Sequence, residues 1–201
     1  MVWQSDSKGT VRWIAGVALV VTVAGVTGCS KDKDSGADKA PTVSKSTASQ
    51  PTTAAPKPRQ STAEEAVASW VTAVIEGRPK QACVVMAEPA TASSPAQVGT
   101  PTRCNSNTPE MRQMQQNLGR FRKAFTPKQP TNNPKVEVAH VPETGGKAVV
   151  PADKITIDGQ TLEKVILSNS TGIKQGQLDV KVESAKIKGA WYVTNLDFNV
   201  G

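Results

Sequence analysis

The sequence contains few of the residues on which common active sites are built. It has one histidine, His140, and three cysteines that form no CxxC pair. A metal site built on several histidines therefore lacks its further ligands, and His140 has no neighbouring Asp, Ser or Cys at a spacing typical of a catalytic pair. The GxSxG, HExxH, phosphate-loop and calcium-loop patterns are absent as well. We therefore predict no catalytic, cofactor-binding or metal-binding residue, and we interpret His140 as a structural residue of a strand.

Negative charge is in the minority. The chain has 24 Lys and Arg against 17 Asp and Glu, a formal net charge of +7. A moderately basic protein is attracted to anionic lipid headgroups or wall polymers over a Debye length of about 8 Å at physiological salt. No nucleic-acid recognition motif accompanies the charge, so nucleic acid is not an expected partner.

The apolar run near the N-terminus is short for a membrane span. Lys8 and Arg12 precede the apolar residues 13–26, and the uncharged run reaches only to Ser30 and is rich in glycine and threonine. A spanning helix needs about 20 predominantly apolar residues, whereas a charged segment followed by a shorter apolar one is typical of a signal peptide. The pattern favours cleavage over permanent spanning.

The apolar run ends in Val26, Thr27, Gly28 and Cys29, which resembles the lipobox of bacterial lipoproteins. The resemblance implies that the Cys29 thiol receives a diacylglyceryl group and that a peptidase cuts between Gly28 and Cys29. Stable anchoring needs about two acyl chains, which one modified cysteine supplies. The expected partner is membrane lipid, at the outer face of the cell membrane. An uncleaved signal anchor, or an ordinary secretory peptide in which Cys29 is incidental, remains the alternative.

Residues 29–60 are predicted to be the lipidated cysteine followed by a disordered linker. Residues 30–60 are mainly Ser, Thr, Lys, Ala, Asp and Pro, with Val43 as the one larger aliphatic residue. Such a segment cannot bury enough apolar surface to offset its ordering entropy, and as a flexible coil it would span roughly 30 Å. Residues 1–28 are then the signal peptide, and residues 61–201 the globular domain. A long tether resembles the lipoproteins of high-GC Gram-positive (actinobacterial) cells.

Two cysteines remain once Cys29 is set aside, Cys83 and Cys104. An even pair in an exported protein predicts a disulfide, which would stabilise the fold by roughly 3 kcal/mol in the chain-entropy model. A catalytic thiol or a metal pair is the competing interpretation, and neither has a companion residue.

Helical patterns dominate the first part of the domain. Ser61 and Glu64 form a capping box that predicts a helix start, and apolar residues then recur at helical spacing as far as the stop at Gly77. A short helix is expected over residues 80–86, a long loop over residues 88–107, and a third helix from the N-cap Thr108 to about residue 125.

The third helix carries basic residues opposite its apolar stripe. These residues are Arg112, Arg120, Arg122 and Lys123. Two interpretations are open. The residues form a binding surface for a polyanion, either anionic lipid or a wall polymer, or they form an ordinary solvated face.

From residue 135 onward the apolar period becomes alternating, which predicts strands. Asp158 and Gly159 indicate a hairpin turn, with residues 162–167 as the returning strand. Residues 178–183 alternate cleanly, a turn is expected at Lys188 and Gly189, and a later change of apolar parity predicts a bulge.

Helices followed by an antiparallel meander predict an α+β domain with two or three N-terminal helices packed on a curved sheet. The layout resembles the NTF2-like, or cystatin-like, superfamily, and the likeness rests on the opening helix around Trp70, the turn from Gly77 to Cys83 and the closing strand around Trp191. That resemblance implies a cone-shaped pocket, in which some relatives are isomerases or cyclases with an Asp or His base.

Two functions are therefore expected from the sequence. The first is a noncatalytic surface module that binds a small apolar ligand, a wall component or a membrane protein. The alternative is an NTF2-like isomerase or hydrolase whose acid and base meet only in the folded chain. The available carboxylates lie mainly beside turns or at outward strand positions; they are Asp153, Asp158, Glu163, Asp179, Glu183 and Asp197.

Overall fold

The computed structural model describes residues 60–201. The first helix, α1 (Ala63–Ile75), is thirteen residues long, and eight of them are buried. The lipobox residues Val26, Thr27, Gly28 and Cys29, and the linker up to residue 59, lie outside the described residues. Helix α1 contacts strands of both main sheets and two of the later helices. Its apolar spacing therefore places it at the centre of the core.

The cap of α1 lies one residue later than the capping-box pattern predicts. Thr62 is the N-cap, and its hydroxyl accepts a hydrogen bond from the Glu65 N–H at 3.1 Å. The Glu65 carboxylate accepts from the Ser61 N–H at 2.7 Å. The predicted pair of Ser61 and Glu64 is wrong because Glu64 is used elsewhere, in a contact with the chain after residue 139.

The other helices of the N-terminal part follow in order. Helix α2 covers Pro79–Val84, which ends two residues before the predicted boundary, and helix α4 covers Pro109–Phe125 with Thr108 as N-cap, as predicted. The predicted loop of residues 88–107 is not wholly irregular. It contains strand β1 (Ala87–Glu88) paired with β2 (Gln97–Val98), and the single-turn helix α3 (Pro101–Cys104).

Antiparallel strands make up the C-terminal part. They are β3 (Val136–Val138), β4 (Glu143–Thr144), β5 (Lys147–Pro151), β6 (Ile155–Ile157), β7 (Gln160–Thr161), β8 (Leu178–Ile187) and β9 (Ala190–Val200). A 3₁₀ turn, Ala152–Lys154, separates β5 from β6. The strands form one sheet of order β4-β5-β8-β9 and another of order β3-β6-β7. Together with the helices they make the predicted α+β class.

Both predicted tight turns are present. Asp158 and Gly159 connect β6 to β7, and Lys188 and Gly189 connect β8 to β9, with positive φ at all four residues. Two central residues with positive φ are what a two-residue hairpin turn requires. The bulge is confirmed too, because the β8–β9 register shifts between Glu183 and Ser184.

The predicted strand at residues 162–167 is wrong. The structure has helix α5 (Leu162–Asn169) there, with Thr161 as N-cap accepting from the Lys164 N–H. Its buried residues Leu162, Val165 and Ile166 follow helical spacing. A short apolar run cannot be assigned to strand or helix by periodicity alone, and the cap decides this one.

Large side chains fill the space between helices and sheet. The Trp70 and Phe125 rings meet edge to face with centroids 6.2 Å apart, and Phe121 stacks on Phe125 at 5.9 Å. Trp191, on β9, is also buried. Within residues 60–201, none of the helices combines the length and the apolar character that a membrane span requires.

Candidate functional site

The interior between helices and sheet is almost filled. Trp70, Leu118 and Phe121 face Val193 and Leu196 across a cavity of about 10 Å³, which is room for about one water molecule. The Trp70 indole N–H is buried and has no hydrogen-bond partner among the described residues. The wall is apolar apart from this group and Asn195. A drug-sized ligand, which typically needs roughly 300 Å³ or more, does not fit this state of the domain.

His140 does not line that cavity; it follows β3 rather than lying in a strand as predicted, and it faces solvent. Its side chain is 86% exposed, and its Nδ1 lies 2.8 Å from Oε1 of Glu64. The same oxygen accepts the Val141 N–H at 3.1 Å. Burial raises the pKa of Glu64, but hydrogen bonds from its own backbone N–H, from Val141 and from His140 outweigh it, so the pKa lies below its ordinary value. Glu64 thereby attaches the segment after β3 to the start of α1.

The enzyme hypothesis from the sequence requires an acid or base inside a pocket. Among residues 60–201, Ser184 is the buried polar side chain, and the carboxylates named from the sequence are at least partly exposed. The deep pocket with His140 or a buried carboxylate, which the enzyme hypothesis requires, is not formed by these residues.

The predicted disulfide joins Cys83 of α2 to Cys104 of α3, with Cα atoms 5.8 Å apart. Both cysteines are buried. Arg103 reinforces the same connection, because its guanidinium donates to Glu88 Oε1 at 2.5 Å and to Gln97 at 3.3 Å. The bridge and this ion pair hold the long segment between β1 and α4 against α2.

The basic residues of α4 do not form one surface. Arg112 donates to the backbone oxygen of Asn107 at the start of the helix, whereas Arg122 Nε donates to the Ile75 carbonyl at the end of α1, 3.2 Å away. Helical spacing puts Lys123 about 100° around the axis from Arg122. The cluster predicted from the sequence is therefore divided, and Arg122 faces a different part of the molecule.

Arg122 lines an open groove of about 460 Å³. The groove lies between the C-terminal ends of α1 and α4 and the proline-containing segment of residues 127–134. Its lining residues are Ile75, Glu76, Arg78, Arg122, Thr126, Pro127, Pro130, Thr131, Asn132, Pro134 and Asp158. We call it the α1–α4 groove.

Asp158 holds the outer wall of the α1–α4 groove in place. Its two carboxylate oxygens accept from the Thr131 hydroxyl and from the Lys135 N–H, each at 2.9 Å. On the opposite wall, Arg78 pairs with Glu76. The groove was missed from the sequence, and the signals that could have pointed to it are the three prolines of residues 127–134 and the offset of Arg122 from the other basic residues of α4.

Comparison with known proteins adds little. No protein-family model and no curated protein matches the chain. A solved structure from Xanthomonas campestris, named as a calcium/calmodulin dependent protein kinase II association domain, is similar over 66% of this chain and 80% of that one, with 14% identity and a TM-score of 0.28. A likeness at this level carries no argument about function.

Proposed function

We propose that the protein is a membrane-anchored surface lipoprotein whose globular domain is a noncatalytic interaction module. The anchor is the acylated Cys29, and the domain of residues 61–201 extends from it on the linker. The module binds its partner, a wall component or a membrane protein, at its outer surface.

The contrast between interior and surface supports the module. The cavity under the helices has room for about one water, whereas the α1–α4 groove is about 460 Å³ and combines charged, hydroxyl and amide side chains with three prolines and Ile75. This contrast is the observation that carries the proposal, because the groove on the outer surface has room for a binding partner and the interior cavity does not. It also disfavours the small apolar ligand.

An NTF2-like, or cystatin-like, arrangement is the fold we propose within the α+β class. It is supported by α1 lying against strands of both sheets and by the bulge that bends the long β8–β9 hairpin. Here the cone-shaped pocket of that family would be filled by Trp70, Leu118 and Phe121.

Phase partition of the protein expressed in a bacterium tests the anchor. Wild type should enter the detergent phase as a shortened chain, because the lipid added at Cys29 carries it there. Cys29→Ala should leave the precursor uncut. Ser30→Ala is the matched control, since it changes the neighbouring residue and keeps the thiol. A shortened Cys29→Ala protein that stays in the membrane would contradict the anchor.

A further inference from the structure

In the α1–α4 groove, the Arg122 guanidinium has hydrogen-bonding groups with a partner and groups without one. The Arg122 Nε is committed to the Ile75 carbonyl, and the guanidinium lies against Gly77, where a Cβ would come within 2.8 Å of it. Its two Nη groups have no partner in the described part of the chain. The bond to Ile75 fixes the plane of the fork, and a fixed fork is what bidentate recognition of a carboxylate or phosphate requires.

The other polar residues of the groove offer acceptors. The Thr126 hydroxyl donates to the Arg122 carbonyl at 2.7 Å, and the Thr131 hydroxyl donates to Asp158. A hydroxyl that has used its proton still has acceptor capacity. Asn132, which is exposed, adds an amide without a partner in residues 60–201. The groove thus presents a fixed cationic fork beside hydroxyl acceptors.

From these groups we infer that the α1–α4 groove binds an acidic sugar unit of a polysaccharide, with the anion on Arg122 and the sugar hydroxyls on Thr126, Thr131 and Asn132. The inference rests on the proposed function and names its partner class. A sugar acid is the ligand that brings one anionic group together with several hydroxyl donors.

Charge balance separates this ligand from an anionic membrane. Arg78 is neutralised by Glu76, and Asp158 offsets Arg122 among the groups that line the groove. A lipid surface is attracted by an excess of basic residues, and this groove has none. Within residues 60–201, the exposed large hydrophobic residues are Val149 and Val200. Neither of them lines the groove, so the groove offers no exposed large apolar side chain that could insert among acyl chains.

A protein partner fits the groove less well. The core of a protein interface is rich in aromatic residues, Met and Arg. The lining contains Arg but neither an aromatic residue nor Met.

The test is a titration of the full-length protein in detergent, followed by NMR of backbone amides and arginine Nε–H groups. The probes are glucuronic acid, glucose 6-phosphate and glucose. The two acidic sugars should shift the Arg122 Nε–H signal and the amides of residues 126–132, and glucose should bind at least about tenfold more weakly, because a charge-assisted bidentate contact is lost.

Arg122→Gln and Lys123→Gln make a matched pair, since both remove one positive charge from the same helix. Arg122→Gln should weaken binding of both acidic sugars at least about tenfold, and Lys123→Gln less than about twofold. Asn132→Ala, which removes an exposed amide, should weaken binding without changing the melting temperature, and it keeps the test valid if Arg122→Gln is unstable.

Phosphatidylglycerol vesicles are a further probe, for a membrane headgroup as the source of the anion. Four results would overturn the inference: equal loss in the two charge variants, equal binding of glucose, binding only to the vesicles, or no sugar-dependent shift. If the protein still partitions into detergent, these results reject only the sugar partner. An uncut or unlipidated protein would reject the proposed function whatever the titration shows.

Discussion

At the residue scale, Gly99 occupies a position that has no room for a side chain. A Cβ there would lie 1.9 Å from the carbonyl oxygen of Cys83 and 2.8 Å from its carbonyl carbon. Both atoms belong to the backbone of α2, which the disulfide to Cys104 also holds. The Gly99 N–H donates to the Met86 carbonyl at 2.8 Å. The segment around Gly99 and the end of α2 therefore cannot move apart without losing this hydrogen bond.

We therefore expect Gly99→Ala to lower the free energy of unfolding by about 2–4 kcal/mol, because overpacking against backbone cannot be relieved by a side-chain rotation. Urea unfolding followed by tryptophan fluorescence measures it. Gly119→Ala is the matched control, because nothing lies within 4 Å of its Cβ position on the exposed side of α4. It should stabilise the protein by about 0.5–1 kcal/mol. A Gly99→Ala protein as stable as wild type would contradict the close approach.

The start of α1 shows what single residues in the sequence can and cannot predict. Ser61 with Glu64, and Thr62 with Glu65, both match the spacing of a capping box. Local sequence does not distinguish them. The choice is made by Val141, whose N–H uses the Glu64 carboxylate, and a contact between residues so far apart in the chain has no local signal.

At the element scale, α5 and the end of α4 depend on each other. The Asn169 side-chain amide donates to the carbonyls of Ala124 and Thr126, at 3.0 and 2.8 Å. These carbonyls belong to the last turn of α4 and its cap, where orphan acceptors need partners. Asn169 matches a glycosylation sequon in the sequence, but in the structure its amide has a structural role.

Elements with strong local signals were predicted correctly, and weaker ones were not. Helix α4 has its Thr–Pro start, β8 has clean alternation, and both hairpins have their turn residues. Strands β1 and β2 carry no such pattern, and α3, although it has the same Thr–Pro start at Thr100 and Pro101, is only four residues long. They are held by the disulfide and by Arg103, which are tertiary constraints.

The disulfide is the main constraint on the segment between α2 and α4, and its loss should be measurable. The chain-entropy model gives about 3 kcal/mol for the sequence separation of 21 residues. For a domain of this size that corresponds to roughly 10 °C in melting temperature. We expect the double variant Cys83→Ser, Cys104→Ser to melt lower by this amount in calorimetry.

Reduction supplies the control for that measurement. Dithiothreitol should lower the melting temperature of wild type and leave the double variant unchanged, because the variant has no bridge to break. Equal melting temperatures of wild type and double variant would show that the bridge does not stabilise the fold.

At the scale of the whole molecule, the α1–α4 groove could not be predicted from the sequence. Its walls come from the end of α1, the end of α4, residues 127–134 and the turn at Asp158. Each piece has an ordinary local explanation: Arg122 belongs to a basic helix and Asp158 to a hairpin. Only the packing of α4 beside α1 brings the guanidinium into the same groove as the threonine hydroxyls.

The covalent state of the intact chain unites the anchor and the fold in one measurement. We expect the denatured protein from bacterial membranes to have the mass of residues 29–201, increased by lipid and decreased by two hydrogens for the disulfide. Mild base should release ester-linked acyl chains and leave the glyceryl thioether on Cys29, because a thioether is stable to base. Reduction should then restore the two hydrogens.

Each departure from that mass has a separate meaning. An uncut precursor would indicate a signal anchor, and a cut chain without lipid would indicate an ordinary secretory peptide in which Cys29 is incidental. A lipidated chain that gains no hydrogens on reduction would place Cys83 and Cys104 outside a bridge. Because lipid anchoring by two acyl chains is far stronger than one chain allows, the number of chains released by base also decides whether the module stays at the membrane or exchanges with solution.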